Sequence, residues 1–206
     1  MIYFFKNLES YKLKAKSYKL NMGMTYVELI VVLSIFATMT SIVLFNYNTF
    51  QAKVDIKNLA NDIALKIVEA QKAAVSGKWN PVVINSDWKP TYGVYLDKSD
   101  YTTIVYFNDL SSPLNYIPDV GETLDSFKIT KGNSIFKIES YIGSTATSIT
   151  ESFSISFTRP SSSAIFRYDD GLPLASFDYM QITVSSSDRS VKAYIKVYPS
   201  GRIQIN

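Results

Sequence analysis

Two periodicities divide the chain. The stretch GMTYVELIVVLSIFATMTSIVLF, residues 23–45, is apolar almost throughout and carries one charge, Glu28. Leu29 to Phe45 is seventeen residues without a charged side chain. About 20 helical residues rising ~1.5 Å each cross ~30 Å of hydrocarbon, so this run, extended at both ends, is long enough for one membrane-spanning helix. The pattern then becomes one-sided. In KVDIKNLANDIALKIVEAQKAAVSG, Leu59, Ile63, Ile67, Ala70 and Ala74 recur at helical spacing, and Ile56 extends the stripe forward. Such a stripe packs on a globular core. Gly77, then Lys78 and Pro81, supply a stop signal. The spacing predicts helix over ~24–76, ~80 Å long, with a first half at 24–51 and an amphipathic half at 52–77. Asn46-Tyr47-Asn48-Thr49 is where it is expected to bend or loosen.

After Pro81 the period falls to two. Expected strands are Val82–Asn85, Tyr92–Leu96, Thr102–Phe107, Ser126–Thr130, Ser134–Tyr141, Ser152–Thr158, Ala164–Tyr168, Tyr179–Ser185, Val191–Tyr198 and Arg202–Ile205. They are rich in Val, Ile, Tyr, Phe and Thr. Expected turns are Asp97-Lys98-Ser99-Asp100, Lys131-Gly132-Asn133, Asp169-Asp170-Gly171 and Pro199-Ser200-Gly201. The fold class expected is therefore α+β: a long N-terminal helix and, over 78–206, a mainly antiparallel β head set as two small sheets on the helix's second half. Trp79 and Trp88 bracket the first expected strand and are read as caps on its core.

Composition narrows the chemistry. The chain has no Cys and no His, which removes Cys/His zinc sites, disulfides and histidine-based nucleophile activation. No cofactor is expected, and an enzyme is not the expected class. The net charge of +3 is unevenly spread. Residues 1–23 hold Lys6, Lys12, Lys14, Lys16 and Lys19 against Glu9, while the rest of the chain has 16 basic and 17 acidic residues. Lysines on the N-terminal side of the apolar run orient it with 1–23 in the cytoplasm and the head outside. The run exceeds a usual secretory h-region, and no small-x-small cleavage site follows it, so a plain signal anchor is the simpler alternative to something specialised.

Glu28 favours the specialised reading, because a carboxylate at the bilayer centre costs at least ~2.5–3.5 kcal/mol on insertion scales. Gly23-Met24-Thr25-Tyr26-Val27-Glu28 ahead of LIVVLSIFA resembles the signal of type IV prepilins and pseudopilins. The resemblance implies a pilin-like fold and cleavage between Gly23 and Met24 by a prepilin peptidase that also N-methylates Met24. Residues 1–23 would then be a cytoplasmic leader. Met24 in place of Phe, Tyr26 in place of Leu, and a long leader with its nearest lysine at Lys19 depart from the usual pattern. IALKIVEAQKAAVSGKWNPVVI and VKAYIKVYPSGRIQI look like the helix end and the final hairpin of H-type pseudopilins and related minor pilins. The implied function is a structural subunit of a type II secretion pseudopilus or a type IV pilus-like filament. Its partners would be other pilin subunits, the peptidase and membrane lipid. In such a filament the Met24 amino group of one subunit would neutralise Glu28 of a neighbour, and Glu28 would set register. The alternatives are a DNA- or surface-binding tip subunit and a membrane-anchored β-domain without assembly.

Two further constellations stand out. Lys192, Tyr194 and Lys196 share one face of a strand flanked by Arg189 and Arg202. Cations interleaved with an aromatic suit nucleic acid, whereas a solvated strand face is the plainer reading. Asp169 and Asp170 before Gly171 are weak Ca²⁺ candidates. They lack the alternating oxygen ligands of a good site, and a β-turn accounts for them more simply.

Overall fold

The computed structural model of the chain describes residues 23–78, 91–111 and 113–206. Residues 1–22, the strand expected at Val82–Asn85, and Trp79 and Trp88 lie outside these. One helix, α1, covers Tyr26–Ser76, and ten strands follow it. The chain divides into two compact units, Met1–Phe45 and Asn46–Asn206. Their boundary falls where the Asn-rich stretch was expected to loosen, although helix continues through it.

Within the second unit, the expected stripe is the core. Ile56, Leu59, Ala60, Ile63, Ala64, Ile67, Ala70, Ala73 and Ala74 are all buried and belong to one cluster with the inner faces of both sheets. The five alanines leave little side chain between helix and strands, so the larger sheet residues fill the gap. The helix closes on a Schellman motif: the Gly77 amide donates to the Ala74 carbonyl and the Lys78 amide to that of Ala73, both at 3.0 Å. Gly77 takes φ +62°, which favours glycine.

The first sheet comprises β1 (Thr91–Leu96), β2 (Thr103–Asp109), β3 (Thr123–Lys128), β6 (Phe153–Thr158) and β7 (Ala164–Tyr168), in the order β3-β2-β1-β6-β7. The second comprises β4 (Ser134–Ile142), β5 (Thr145–Ser148), β8 (Tyr179–Ser185), β9 (Lys192–Val197) and β10 (Ile203–Ile205), in the order β10-β9-β8-β4-β5. Every pairing among these strands is antiparallel. Tyr92, Val94, Leu96, Phe153, Ile155 and Phe157 line the inner face of the first sheet; Ile138, Met180, Ile182, Val184, Ile195 and Val197 line that of the second. Alternation along each strand dictates this sorting.

Polar ties fasten the helix to both sheets. Lys66 reaches Asp125 of β3 at 2.8 Å, and Lys131, in the turn between the sheets, reaches Asp55 at 2.9 Å. Gln71 donates to the carbonyls of Ser162 and Gly201 at 2.8 and 3.0 Å. The hydrogen bond from Lys131 holds the Asp55 carboxyl below its usual range.

Two expected elements differ. The strand expected at Ser126–Thr130 runs instead over Thr123–Lys128. Ile129 leaves the ladder, turns its side chain into the core and donates to the Thr102 carbonyl as the chain crosses between sheets. An unexpected strand, β5, has four residues that are all exposed. A hydrogen-bonded edge needs no apolar pattern, so periodicity could not reveal it.

Central strands β1 and β6 are buried on both faces. On the outer side, Gly93 sits opposite Phe107 and Ser156. A Cβ on Gly93 would lie 2.9 Å from the Ile155 carbonyl oxygen, the Phe107 ring and Ser156 Cβ. Gly93→Ala is expected to lower stability by at least about 2 kcal/mol. Gly121→Ala meets open space and strains only its positive φ, so it costs about 1 kcal/mol. Thermal unfolding of both variants in the full chain checks the difference.

Candidate functional site

The described part of the N-terminal unit is an apolar helix with exposed side chains. The side chains from Leu29 to Phe45 are exposed throughout, reaching 83% at Phe45, and α1 is long and apolar enough to cross a membrane. Its hydroxyls are compatible with lipid. Ser34, Thr38 and Thr40 each donate to a backbone carbonyl three or four residues earlier, at 2.8 Å. No donor on those side chains is left to bare hydrocarbon.

Gly23 and Met24 precede the helix in exposed, non-helical backbone, and nothing lies within 4 Å of where a Gly23 Cβ would stand. Thr25 is the N-cap. Its hydroxyl accepts the Glu28 amide at 3.2 Å, and its carbonyl accepts that of Leu29 at 3.0 Å. Glu28 is the third helical residue, so Thr25-Tyr26-Val27-Glu28 has capping-box spacing, with a carboxylate at the positive end of the helix dipole. The sequence reading missed this local role, though the T-x-x-E signal was present. No hydrogen bond or ion pair engages the Glu28 carboxylate among the described residues.

The second constellation lies on the outer face of the second sheet. Lys192, Tyr194 and Lys196 point outward from β9 while Ala193, Ile195 and Val197 are buried, as the alternation required. Arg189 occupies the β8–β9 turn at φ +59°, and Arg202 immediately precedes β10. The structure adds neighbours. Lys137 pairs with Thr183 and Thr183 with Tyr194; Glu139 pairs with Gln181, and Gln181 with Lys196. Tyr141 and Tyr179 stack at 4.8 Å, and Tyr198 adjoins at 5.5 Å. Lys137 binds Glu139 at 2.8 Å, and that hydrogen bond holds the ammonium pKa above its usual value.

The cations do not stand free beside the aromatics; they cover them. Lys192 and Arg189 lie 4.6 and 5.5 Å from the centre of the Phe136 ring, Lys196 lies 4.6 Å from that of Tyr179, and Arg202 lies 3.8 Å from that of Tyr198. These contacts stabilise the face but occupy rings that nucleobases would need. Phe136 reaches this surface because β4 shifts register between Ile135 and Lys137. A bulge of that kind leaves no trace in alternation.

Asp169 and Asp170 form a turn: the Gly171 amide donates to the Tyr168 carbonyl at 2.9 Å and that of Leu172 to Asp170 at 2.9 Å. Asp169 accepts the Tyr95 hydroxyl at 2.8 Å. Burial pushes the Tyr95 phenol up to about 12, so it remains a donor at neutral pH. Among the described residues no group of three or more acidic side chains is placed to hold a metal. Comparison of the chain with protein families, curated proteins and solved structures found no match.

The turn that carries Arg189 yields a pH test. The Ser186 hydroxyl and the Ser190 amide donate to Asp188, and these bonds hold its carboxyl down to about 2. An unfolded Asp titrates near ~3.9. The contribution of Asp188 is therefore complete above that value and is lost as pH falls through about 2. The Arg189 and Ser190 amide resonances should hold native positions at pH ~3.5 and shift with a midpoint near 2. Asp188→Asn should abolish that titration.

Proposed function

We propose that the chain is a structural subunit of a pilin-like filament, a minor pilin or pseudopilin of a secretion or pilus machine. The observation that carries this reading is a wholly exposed apolar helix whose single carboxylate sits just behind an exposed, non-helical Gly-Met bond. A globular domain built on its own core follows that helix. The helix enters the plasma membrane with residues 1–23 in the cytoplasm and the head outside. The peptidase cuts after Gly23 and methylates Met24. In this reading the chain is a substrate and a building block, not an enzyme.

The physics of assembly follows from the charges. Cleavage creates an α-amino group at Met24, cationic at neutral pH. Glu28 lies four residues further on. In a bundle of parallel helices staggered along the axis, the amine of one subunit meets the carboxylate of the next. Two charges in lipid are each expensive alone, and pairing offsets part of that cost. A half-paired contact is strongly unfavourable, so the pair fixes register more than it adds net stability.

The capping geometry makes the test discriminating. Glu28→Ala removes both the charge and any side chain able to accept at the capping-box position, whereas Glu28→Gln keeps the acceptor and removes only the charge. Chain recovered from membranes is expected to begin at N-methylated Met24. Both variants should be cut normally yet enter filaments at least about tenfold less often. Filament entry of Glu28→Gln at the normal level would sink the charge-pairing argument. An intact Met1 on membrane-derived chain would identify a tethered β-domain instead.

A further inference from the structure

The outer face of the second sheet holds a groove of about 390 Å³ between β4 and β9, within the size range of small-ligand sites. Its floor is Gln181 and Thr183 of β8, which point away from the core yet are only 9% and 0% exposed. The Thr183 hydroxyl is buried and has no hydrogen-bond partner among the described residues. A buried hydroxyl in that state costs the fold, and a ligand oxygen admitted to it by movement of the lining side chains would relieve the cost. Lys137 and Tyr141 wall one side; Lys192, Tyr194 and Lys196 wall the other.

Charge and ring geometry define the ligand. Lys137 is neutralised by Glu139, but Lys192 and Lys196 have no ion pair among the described residues. Four residues apart on one strand, their backbones are separated by ~13 Å, with Tyr194 between them. This arrangement suits an extended chain with repeated negative charges. Base stacking needs successive free aromatic faces. Here Phe136, Tyr179 and Tyr198 are already covered by cations and Tyr141 is stacked on Tyr179, whereas Tyr194 is partly exposed and makes no ring or cation–ring contact among the described residues. A hydroxyl-rich, non-aromatic skeleton fits a polar floor and one open ring better than a nucleic acid does.

We propose that this groove binds an acidic polysaccharide. Its carboxylates meet Lys192 and Lys196, a sugar ring lies on Tyr194, and sugar hydroxyls reach Gln181 and Thr183. The inference concerns the head alone and stands independently of filament assembly.

The test uses the full chain in detergent micelles at low ionic strength, titrated calorimetrically with a short oligogalacturonate. The fully methyl-esterified oligomer and an oligothymidylate of equal charge serve as comparisons. Saturable binding is expected for the oligogalacturonate and at least about tenfold weaker binding for the ester. The double variant Lys192→Gln, Lys196→Gln should lose at least about tenfold. Tyr194→Ala should lose several-fold with the salt dependence unchanged, because it removes the stacked ring and no charge. Arg202→Gln, outside the groove, should bind like the parent. Absence of saturable binding, equal binding of the ester, oligothymidylate binding as tight as the oligogalacturonate, or indifference to Tyr194→Ala would each overturn the proposal.

Discussion

One helix stripe holds the second unit together. Ile56 to Ala74 presents a single apolar face, and both sheets bury their inner faces against it. Helix and both sheets share one buried cluster, so each sheet's inner face is tied to the helix. Ala60, Ala64, Ala70, Ala73 and Ala74 make this geometry feasible. Their methyl groups leave room for Phe153, Phe157 and Tyr92 from one sheet and for Met180 and Ile182 from the other. A larger residue at any of these positions would push a sheet away and open cavities beside it. Polar ties at Asp55, Lys66 and Gln71 add orientation at three heights along the same helix.

That arrangement decides which surfaces remain for function. With both inner faces committed to the helix, what the sheets can offer is outer faces and edges. The outer side of the first sheet is closed to ligand at Gly93, where Phe107 and Ser156 fill the place of a side chain. The outer face of the second sheet stays accessible and gathers lysines and tyrosines from β4 and β9 over the polar residues of β8. The same helix carries, ahead of Asn46, an apolar segment whose side chains are exposed. An amphipathic stripe and an all-round apolar stretch on one helix answer to two environments: a protein core for the first and lipid or other helices for the second.

Glu28 illustrates how one residue can serve at two levels. Locally it stands at the third position of a helix capped by Thr25, where a carboxylate is favourable against the helix dipole. In the filament proposed above, the same position would place its charge beside the terminus that cleavage after Gly23 would expose. As a capping residue it needs only the right shape and acceptor capacity; against the dipole and in an assembly it needs charge. The two are therefore separable by chemistry even though they share an atom.

Much of the architecture was legible from residue order. Helix extent, the buried stripe, the Gly77 stop, eight of the strands and the outward Lys-Tyr-Lys of β9 follow from periods of 3.6 and 2, because those periods are fixed by backbone geometry. The shifted start of β3, the edge strand β5 and the bulge at Phe136 were not legible. Each depends on which neighbour a strand pairs with, and pairing is a long-range choice with no local signature. The candidate groove shows the same division. Lys192, Tyr194 and Lys196 declare themselves on one strand, but Lys137, Gln181 and Thr183 join them only through cross-strand register. Alternation alone determined which side chains of this protein face outward. Tertiary pairing alone decided which of them meet, because contact across a sheet is set by hydrogen-bond register between separate segments, β4 and β8 here being more than 40 residues apart at Lys137–Thr183.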